Sequence, residues 1–252
     1  VPLFAGVWAI FGHGNVAGMG EALYGHRALL PTYRAHNEQA MAHAAIASFL
    51  GDTAEAMMQF ARVLPANIPR IALVDFNNDS VRDTLLVLEV MFRKYQELCD
   101  LGDQAEAAKY VLYGVRLDTS GSVRDISVAP LGDPALDLGV NPRLVFNVRQ
   151  ALDAASESWS LPTAWKEAAR EYCRNVKIVV SGGFNPEKIH KFEKLSVPVD
   201  IYAIGSWLFN NNGGTVTDFT ADVVRVKVHG EWIDMAKVGR KPLDNPDLER
   251  VW

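Results

Sequence analysis

The chain has 252 residues, enough to bury a full hydrophobic core, and its apolar and charged fractions are those of an ordinary globular protein. Its formal net charge of −5 argues against a general nucleic-acid binder. No apolar run approaches the ~20 residues of a membrane-spanning helix, which argues against a membrane partner. Cys99 and Cys173 fit neither a metal-binding spacing nor a disulfide framework, so we expect reduced thiols in a cytoplasmic protein.

Two strand–helix units are predicted for the first 50 residues. Val7 to Phe11 is an apolar run typical of a strand, and Asn37 to Phe49 predicts an alanine-rich helix. The chain starts on an apolar run without an initial Met, and it lacks the basic region and cleavage site of a signal peptide. This start suggests a fragment of a longer protein.

The middle of the chain alternates between strands and helices. Ile68 to Asp75 and Val111 to Asp118 are apolar runs that end in a carboxylate, and both predict strands. Between them, Asn78 or Asp79 caps a long helix whose apolar residues recur at spacings of three and four. A loop over residues 122–140 and helices over residues 54–63, 142–155 and 164–173 complete this region.

A buried strand and a glycine turn follow. Val176 to Val180 is β-branched and almost wholly apolar, and Ser181-Gly182-Gly183 ends the run. Asn185 is a good N-cap, and Pro186 suits the first position of a helix. Such a turn leaves backbone N–H groups uncovered and aims a helix N-terminus at them, which suits a phosphate. The alternative is a tight strand–helix connection that binds no ligand.

A second small-residue turn makes the phosphate site the stronger interpretation. Val199 to Ile204 is another short apolar run, and it ends in Gly205-Ser206. In a barrel of parallel strands, the loops after the last two strands commonly hold a phosphate. We therefore predict an α/β barrel that binds a phosphorylated ligand through residues 176–206. Residues 221–229 and 231–236 predict an antiparallel hairpin after it.

Charged residues lie at the carboxyl ends of the predicted strands. In a parallel barrel, Asp75, Arg116 and Asp118 would share one face with the two turns. The aspartates suit ribose hydroxyls or Mg²⁺, and Arg116 can bind a carboxylate or a diphosphate with two parallel hydrogen bonds. The alternative is that both aspartates cap the following helices and that Arg116 pairs with one of them.

The N-terminal segments FGHGNVAGMGEALY and LPTYRAHNEQAMAHAAIA resemble the thiamine-diphosphate-dependent acylhydrolases that open the ring of trihydroxycyclohexanedione. The resemblance covers about residues 1–45. It implies that Glu38 contacts the aminopyrimidine ring of thiamine diphosphate, which calls for a buried carboxyl group with a raised pKa. A first-turn glutamate favoured by the helix dipole is the alternative interpretation of Glu38.

The rest of the chain, about residues 51–252, resembles nicotinate phosphoribosyltransferase. The matching segments are GDTAEAMMQF, PRIALVDFNND, YGVRLDTSGS, GVNPRLVFNVRQALDA, KIVVSGGFNPEKI, PVDIYAIGSWLFN and DFTADVVRVKVHGEW. The resemblance implies an incomplete parallel α/β barrel with a C-terminal hairpin, packed beside an α/β sandwich. It implies joining nicotinate to phosphoribosyl diphosphate in NAD biosynthesis, with Mg²⁺ and with ATP hydrolysis acting through a phosphohistidine.

Residue roles follow from the same resemblance. Arg116 and Asp118 lie near the pyridine carboxylate, the diphosphate and the ribose by this resemblance. Asp75, chosen for its position at the end of a predicted strand, completes the candidate catalytic set. Ser181, Gly182 and Gly183, with Gly205 and Ser206, surround the ribose 5′-phosphate. His43 is the candidate phosphohistidine, since family members carry a histidine shortly before the GDT segment.

The expected organisation has three parts: a segment of different origin over residues 1–50, the barrel over residues 51–206, and the hairpin with its tail over residues 207–252. The family's sandwich domain should precede residue 51, so we interpret the chain as a chimera or truncated fusion, and we expect a homo-oligomer. Two alternatives remain: a phosphate-binding barrel remnant without turnover, and a fragment of a thiamine-diphosphate-dependent acylhydrolase.

Overall fold

The computed structural model describes residues 41–204, 207 and 222–242. These residues form a mixed α/β fold with a parallel four-stranded sheet and a separate antiparallel two-stranded hairpin. The predicted fold class is confirmed at this level. The predicted strand Val7 to Phe11, the start of the helix predicted from Asn37, and Glu38 lie outside the described residues.

The described helices and strands alternate in chain order. They are α1 (His43–Ser48), α2 (Thr53–Val63), β1 (Arg70–Leu73), α3 (Ser80–Asp100), α4 (Gln104–Ala107), β2 (Leu112–Leu117), α5 (Pro134–Asp137), α6 (Pro142–Ala154), α7 (Thr163–Asn175), β3 (Lys177–Val180), α8 (Pro186–Lys194), β4 (Ile201–Tyr202), β5 (Arg225–Val228) and β6 (Glu231–Asp234). Short 3₁₀ turns over Ala108–Tyr110 and Ala155–Ser158 extend α4 and α6. Most predicted strands and helices that fall in this part of the chain are confirmed, with ends that shift by a few residues. The helix predicted over Asn37 to Phe49 is shorter than expected, because the extended backbone of Ala42 makes it begin at His43.

The parallel sheet has the strand order β1-β2-β3-β4, and helices connect each strand to the next. Ala72 of β1 pairs with Val115 of β2, which pairs with Ile178 of β3. All three residues are fully or almost fully buried, as expected for strands covered by helices on their faces. Because the strands are parallel and adjacent, their carboxyl ends meet at one edge of the sheet.

Four of the described helices, α2, α3, α6 and α8, are capped at the N-terminus by the side chain of the polar residue that precedes them. Each cap accepts a hydrogen bond from the backbone N–H three residues later, which satisfies one otherwise unpaired donor. The caps are Asp52, Asp79, Asn141 and Asn185, with N–H to oxygen distances of 2.9, 3.1, 3.0 and 2.8 Å. The helix caps are therefore residues other than Asp75 and Asp118, and one part of the alternative interpretation of those aspartates is wrong.

Tyr172 of α7 links the helix layer to the sheet. Its ring lies 5.1 Å from that of Phe92 in an edge-to-face arrangement. Its hydroxyl donates to the Tyr110 carbonyl at 2.6 Å and accepts from the Leu112 N–H at 2.9 Å, at the start of β2. Burial raises the pKa of Tyr172, so the hydroxyl keeps its proton and both hydrogen bonds.

The long connection predicted over residues 122–140 is confirmed as a loop apart from the one-turn helix α5. It is held to the start of α3 by Asp125, which is fully buried. One oxygen of Asp125 accepts from the Ser80 N–H at 3.1 Å and the Ser80 hydroxyl at 2.6 Å. The other accepts from the Ser127 N–H at 2.9 Å and the Ser127 hydroxyl at 2.7 Å.

We expect Asp125→Ala to lower the free energy of unfolding by about 3 kcal/mol, because four hydrogen bonds to a buried carboxylate are lost together. Urea denaturation measures the change. Asp133→Ala is the control, since Asp133 only caps the four-residue helix α5 and should cost about 1 kcal/mol or less. Equal losses for the two variants would contradict the anchoring role of Asp125.

The predicted antiparallel hairpin is confirmed. Val228 pairs with Glu231, and the two residues between them, His229 and Gly230, have φ of +49° and +92°, as a tight two-residue turn requires. Val226 and Met235 pack against the main hydrophobic core. The chain then continues as the return segment, which we define as residues 235–240.

The described helices contain none that is both long and apolar enough to cross a lipid bilayer. The longest, α3, has 21 residues and carries several charged side chains. The cytoplasmic location expected from the cysteine content stays a prediction.

Candidate active site at the carboxyl ends of the strands

Three neighbouring strands deliver polar side chains to one edge of the sheet. Leu73 of β1 pairs with Arg116 of β2, and Arg116 pairs with Val179 of β3. Asp75 follows β1 and Asp118 follows β2, while Ser181 follows β3 directly. The register of the parallel sheet therefore places these side chains, which are distant in sequence, beside one another.

Ser181 connects Arg116 to Asp118. The Arg116 Nε donates to Ser181 Oγ at 2.9 Å, and Ser181 Oγ donates to Asp118 Oδ1 at 2.6 Å. Arg116 Nη2 lies 3.8 Å from Asp118 Oδ2, an ion pair without a close hydrogen bond. One part of the alternative interpretation, that Arg116 pairs with an aspartate, therefore holds. The arrangement still leaves Asp118 Oδ2 and the outer guanidinium nitrogens able to contact a ligand.

Asp75 lies deeper than the other carboxylate and is 2% exposed. His43 Nε2 lies 2.9 Å from Asp75 Oδ1, and the Lys237 ammonium group contacts Asp75 Oδ2. Burial would raise the pKa of Asp75, but the charges and hydrogen bonds of His43 and Lys237 outweigh it and hold that pKa well below its ordinary value. Asp75 is therefore ionised throughout the neutral range.

Lys237 is one of the site residues that the sequence did not indicate. It belongs to the return segment, and its Nζ donates to the Asp118 carbonyl oxygen at 2.7 Å and lies 3.8 Å from Asp118 Oδ2. Burial would raise the pKa of Asp118, but Arg116 and Lys237 hold it below the ordinary value against the repulsion of Asp75. The sequence contains no local signal for Lys237, because it reaches the site only through the hairpin fold.

The turn after β3 is open to solvent and lacks internal hydrogen bonds. Gly182 and Gly183 are exposed, with φ of +85° and +69°. Among the described residues, no acceptor lies within hydrogen-bond distance of the N–H groups of Gly182, Gly183 and Phe184. A Cβ added at Gly183 would meet nothing within 4 Å among the described residues, so the position beside this glycine is open in that part of the chain. The turn thus presents unpaired donors at the start of α8.

A lysine adds positive charge to this turn. Lys188 Nζ donates to the Gly182 carbonyl oxygen at 3.2 Å and lies 4.1 Å from the centre of the Phe184 ring. Burial lowers the pKa of Lys188, as does Lys191, while Asp118 acts in the opposite direction. The N-terminus of α8, the two glycine N–H groups and Lys188 together form a region suited to an anion.

The second predicted turn, Gly205-Ser206, lies outside the described residues, as does Glu38. Thr119, the residue after Asp118, is buried, and its hydroxyl has no hydrogen-bond partner in the described part of the chain. The structure therefore brings together all predicted site residues that it describes, and it adds Lys188 and Lys237.

A resident Mg²⁺ ion does not fit the side chains present. Ligand atoms of His43, Asp75 and Asp118 lie within 4.8 Å of one another, which is close enough for a common metal ion. However, the Lys237 ammonium group already contacts Asp75 and lies near Asp118. A second cation beside it would be repelled, and Mg²⁺ prefers a nearly octahedral set of oxygens rather than an imidazole nitrogen.

No protein-family model matches this chain. Part of the chain is similar to curated proteins named 3D-(3,5/4)-trihydroxycyclohexane-1,2-dione hydrolase. The protein from Listeria innocua is 52% identical over 46 residues, 18% of this chain and 7% of its own length. The protein from Lacticaseibacillus casei is 60% identical over 42 residues, which are 17% of this chain and 6% of the length of that protein. The protein from Clostridium tetani is 33% identical over 120 residues, and the match covers 42% of this chain and 19% of the length of that protein.

This chain thus spans less than one fifth of the length of each of these relatives. The predicted resemblance to the acylhydrolases is supported for part of the chain. Among solved structures, the chain is similar to a nicotinate-nucleotide pyrophosphorylase from Pyrococcus furiosus, with 27% identity and a TM-score of 0.38. That likeness covers 80% of this chain and 37% of the other. At this TM-score, it establishes neither a shared fold nor a shared activity.

Proposed function

We propose that the site at the carboxyl ends of the strands binds phosphoribosyl diphosphate and nicotinate and joins them to nicotinate mononucleotide. The observation that carries the proposal is the pairing of two features at one sheet edge. One is the hydrogen-bonded series Arg116, Ser181 and Asp118. The other is the Gly182-Gly183 turn, whose N–H groups donate no hydrogen bond to any of the described residues. The sequence segments that resemble nicotinate phosphoribosyltransferase contain both features.

The glycine turn would hold the ribose 5′-phosphate. Its two exposed N–H groups lie at the N-terminus of α8, where the helix dipole favours negative charge. The Lys188 ammonium group, bonded to the carbonyl of the same turn, supplies a full positive charge at this place. Hydrogen bonds between such donors and a phosphate are charge-assisted, so each is stronger than a neutral one.

Asp118 and Arg116 would bind the ribose, the pyridine carboxylate and the diphosphate. Asp118 Oδ2 can accept hydrogen bonds from ribose hydroxyls, and the outer nitrogens of Arg116 can bind the pyridine carboxylate or the diphosphate. In the reaction, the pyridine nitrogen forms a bond to C1 of the ribose while the bond between C1 and the diphosphate oxygen breaks. The electron pair of the broken C1–oxygen bond leaves with the diphosphate. The chain's contribution is positioning and neutralisation of the departing anion.

His43 and ATP form the finer part of the proposal and rest on the resemblance. His43 is buried against Asp75, which holds its Nε2. A carboxylate in this position orients the imidazole ring. If His43 is the phosphorylated residue, ATP will raise the yield of mononucleotide at equilibrium and His43→Ala will remove that effect without removing the basal transfer.

The direct test supplies nicotinate, phosphoribosyl diphosphate and Mg²⁺, with and without ATP, and measures mononucleotide by chromatography. We expect Arg116→Ala to lower kcat/KM by about 100-fold or more, because a positive group facing the leaving diphosphate is lost. Arg170→Ala is the matched control, since its side chain pairs with the exposed Glu167 three residues earlier on α7, away from the sheet edge. No product from the parent chain at high concentration would refute the catalytic proposal but not ligand binding at the turn.

A non-catalytic remnant is the first competing function. The observation that favours it is the exposure of apolar hairpin side chains, with Trp232 67% and Ile233 38% exposed. A homo-oligomer would cover these side chains, which is the arrangement we propose. Sizing chromatography and thermal melting test it: a clean monomer that melts cooperatively counts against both the homo-oligomer and the remnant.

A thiamine-diphosphate-dependent acylhydrolase fragment is the second competing function. It is favoured by the partial similarity to proteins named as trihydroxycyclohexanedione hydrolases. In that case Glu38 would contact the aminopyrimidine ring. Calorimetric titration with thiamine diphosphate and Mg²⁺ decides between the functions. We expect no binding, and saturable binding that is lost in Glu38→Gln would favour this function over our proposal.

A further inference from the structure

We propose that Lys237 is the built-in cation of a site formed by His43, Asp75 and Asp118, and that its ammonium group takes the place of a divalent metal ion. This inference does not depend on the proposed reaction. It concerns a role of Lys237 that follows from its contacts alone.

The three side chains have the composition of a metal site. One imidazole nitrogen and two carboxylate oxygens lie within 4.8 Å of one another, and His43 and Asp75 are buried. Such a set is typical of transition-metal sites in proteins. The position is not vacant, however, because Lys237 Nζ contacts Asp75 Oδ2, donates to the Asp118 carbonyl and lies 3.8 Å from Asp118 Oδ2.

Charge balance requires a cation at this position. Asp75 and Asp118 repel each other, and each is withdrawn from water, so two ionised carboxylates here need positive charge nearby. Arg116 Nη2 lies 3.8 Å from Asp118 Oδ2, the same oxygen that Lys237 Nζ approaches. Among the described residues, however, its ion pair is with Asp118 and not with Asp75. Lys237 is the lysine that contacts both carboxylates, and it is only 5% exposed.

The fold holds Lys237 in place from both sides. Before it, the Met235 N–H donates to the Val224 carbonyl at 3.1 Å, which extends the hairpin. After it, the Val238 N–H donates to the Phe76 carbonyl at 2.9 Å, beside Asp75. Gly239, with φ of +91°, then turns the chain away. The return segment therefore delivers one ammonium group to the sheet edge and leaves it there.

One consequence concerns the metal requirement. With the ammonium group in place, the chain has no resident divalent ion between Asp75 and Asp118. Any Mg²⁺ that the chain uses would arrive bound to a phosphorylated ligand.

The test replaces Lys237 by methionine, which keeps the length of the side chain and removes its charge. Mn²⁺ is the probe, because it accepts both carboxylate and imidazole ligands. We expect calorimetry to show no saturable Mn²⁺ binding to the parent chain and at least about tenfold tighter binding to Lys237→Met. Lys227→Met, which removes an exposed lysine of the hairpin, is the matched control and should behave as the parent. Adding Asp118→Asn to Lys237→Met should abolish the gained binding.

Two results would overturn the inference. One is saturable Mn²⁺ binding by the parent chain that Asp118→Asn removes, since the site would then accept a metal despite Lys237. The other is a folded Lys237→Met chain that binds Mn²⁺ no better than the parent. If Lys237→Met does not melt cooperatively alone, Mn²⁺ should restore a cooperative transition, and failure to do so also overturns the inference. Mononucleotide synthesis is not a readout here, so this test is separate from that of the proposed function.

Discussion

Asp75→Asn is expected to lower the free energy of unfolding by about 3–5 kcal/mol, the usual cost of removing one partner of a buried ion pair. Asp75 is 2% exposed and contacts both His43 and Lys237. Asparagine is nearly isosteric but carries no charge, so the Lys237 ammonium group would lose its closest counter-ion inside the protein. Urea denaturation at neutral pH measures the loss.

Asp234→Asn is the matched control for this prediction. It removes the same charge from an exposed ion pair with Arg225 on the hairpin, and it should cost less than about 1 kcal/mol. If the two substitutions lower the stability equally, the buried contacts of Asp75 do not stabilise the fold in the way described here.

Asp75→Asn should also change the dependence of stability on pH. Since the pKa of Asp75 in the folded protein lies below its unfolded value, its stabilising contribution is complete above the ordinary carboxyl pKa of about 4. The contribution is lost as the pH falls from there towards the folded pKa. We therefore expect the free energy of unfolding of the parent chain to fall more steeply with decreasing pH than that of Asp75→Asn. Equal slopes for the two chains in acid would contradict a lowered pKa of Asp75.

Gly183→Val is expected to weaken binding of nicotinate mononucleotide by about 10- to 100-fold, the loss of one charge-assisted hydrogen bond at about 1.5–3 kcal/mol. The valine side chain would extend into the open position beside Gly183, next to which we place the phosphate. It would also strain a backbone with φ of +69°. Calorimetry on the folded variant measures the change in affinity.

Two comparisons separate loss of the phosphate site from backbone strain. Gly102 has a φ of +80° and open space around its Cβ position at the end of α3, so Gly102→Val imposes similar strain outside the site. It should bind the mononucleotide as the parent does. Arg116→Lys keeps a charge but loses the planar guanidinium, and we expect it to weaken binding less than Gly183→Val. If Gly183→Val retains the parent affinity, the phosphate does not bind at this turn.

Local features of the fold could be predicted from the sequence. The apolar residues of α3 recur at helical spacing, and Asp79 caps that helix as expected. Asn185 and Pro186 begin α8 as predicted, and the β-branched run before Ser181 forms the buried strand β3. Such features depend on interactions among residues a few positions apart, so a short stretch of sequence is sufficient to indicate them.

Residues at the carboxyl ends of predicted parallel strands could be placed on one face in the same way. Asp75, Arg116, Asp118 and Ser181 lie together at this edge. The rule behind this prediction is geometric, because parallel strands that pair in register end at the same edge. It identifies which residues meet, but it does not determine which contact is direct, buried or charged.

Those contacts were decided by the tertiary structure. Lys237 meets the Asp118 carbonyl 119 positions away, and His43 meets Asp75 32 positions away. Neither contact has a local sequence pattern, because each depends on how the hairpin and α1 pack against the sheet. The same packing buries Asp75 and surrounds it with positive charge, whereas the sequence alone showed an aspartate at the end of a strand. Burial and long-range charge pairing arise only when distant segments pack together, and at this site they decided which groups remain open to a ligand.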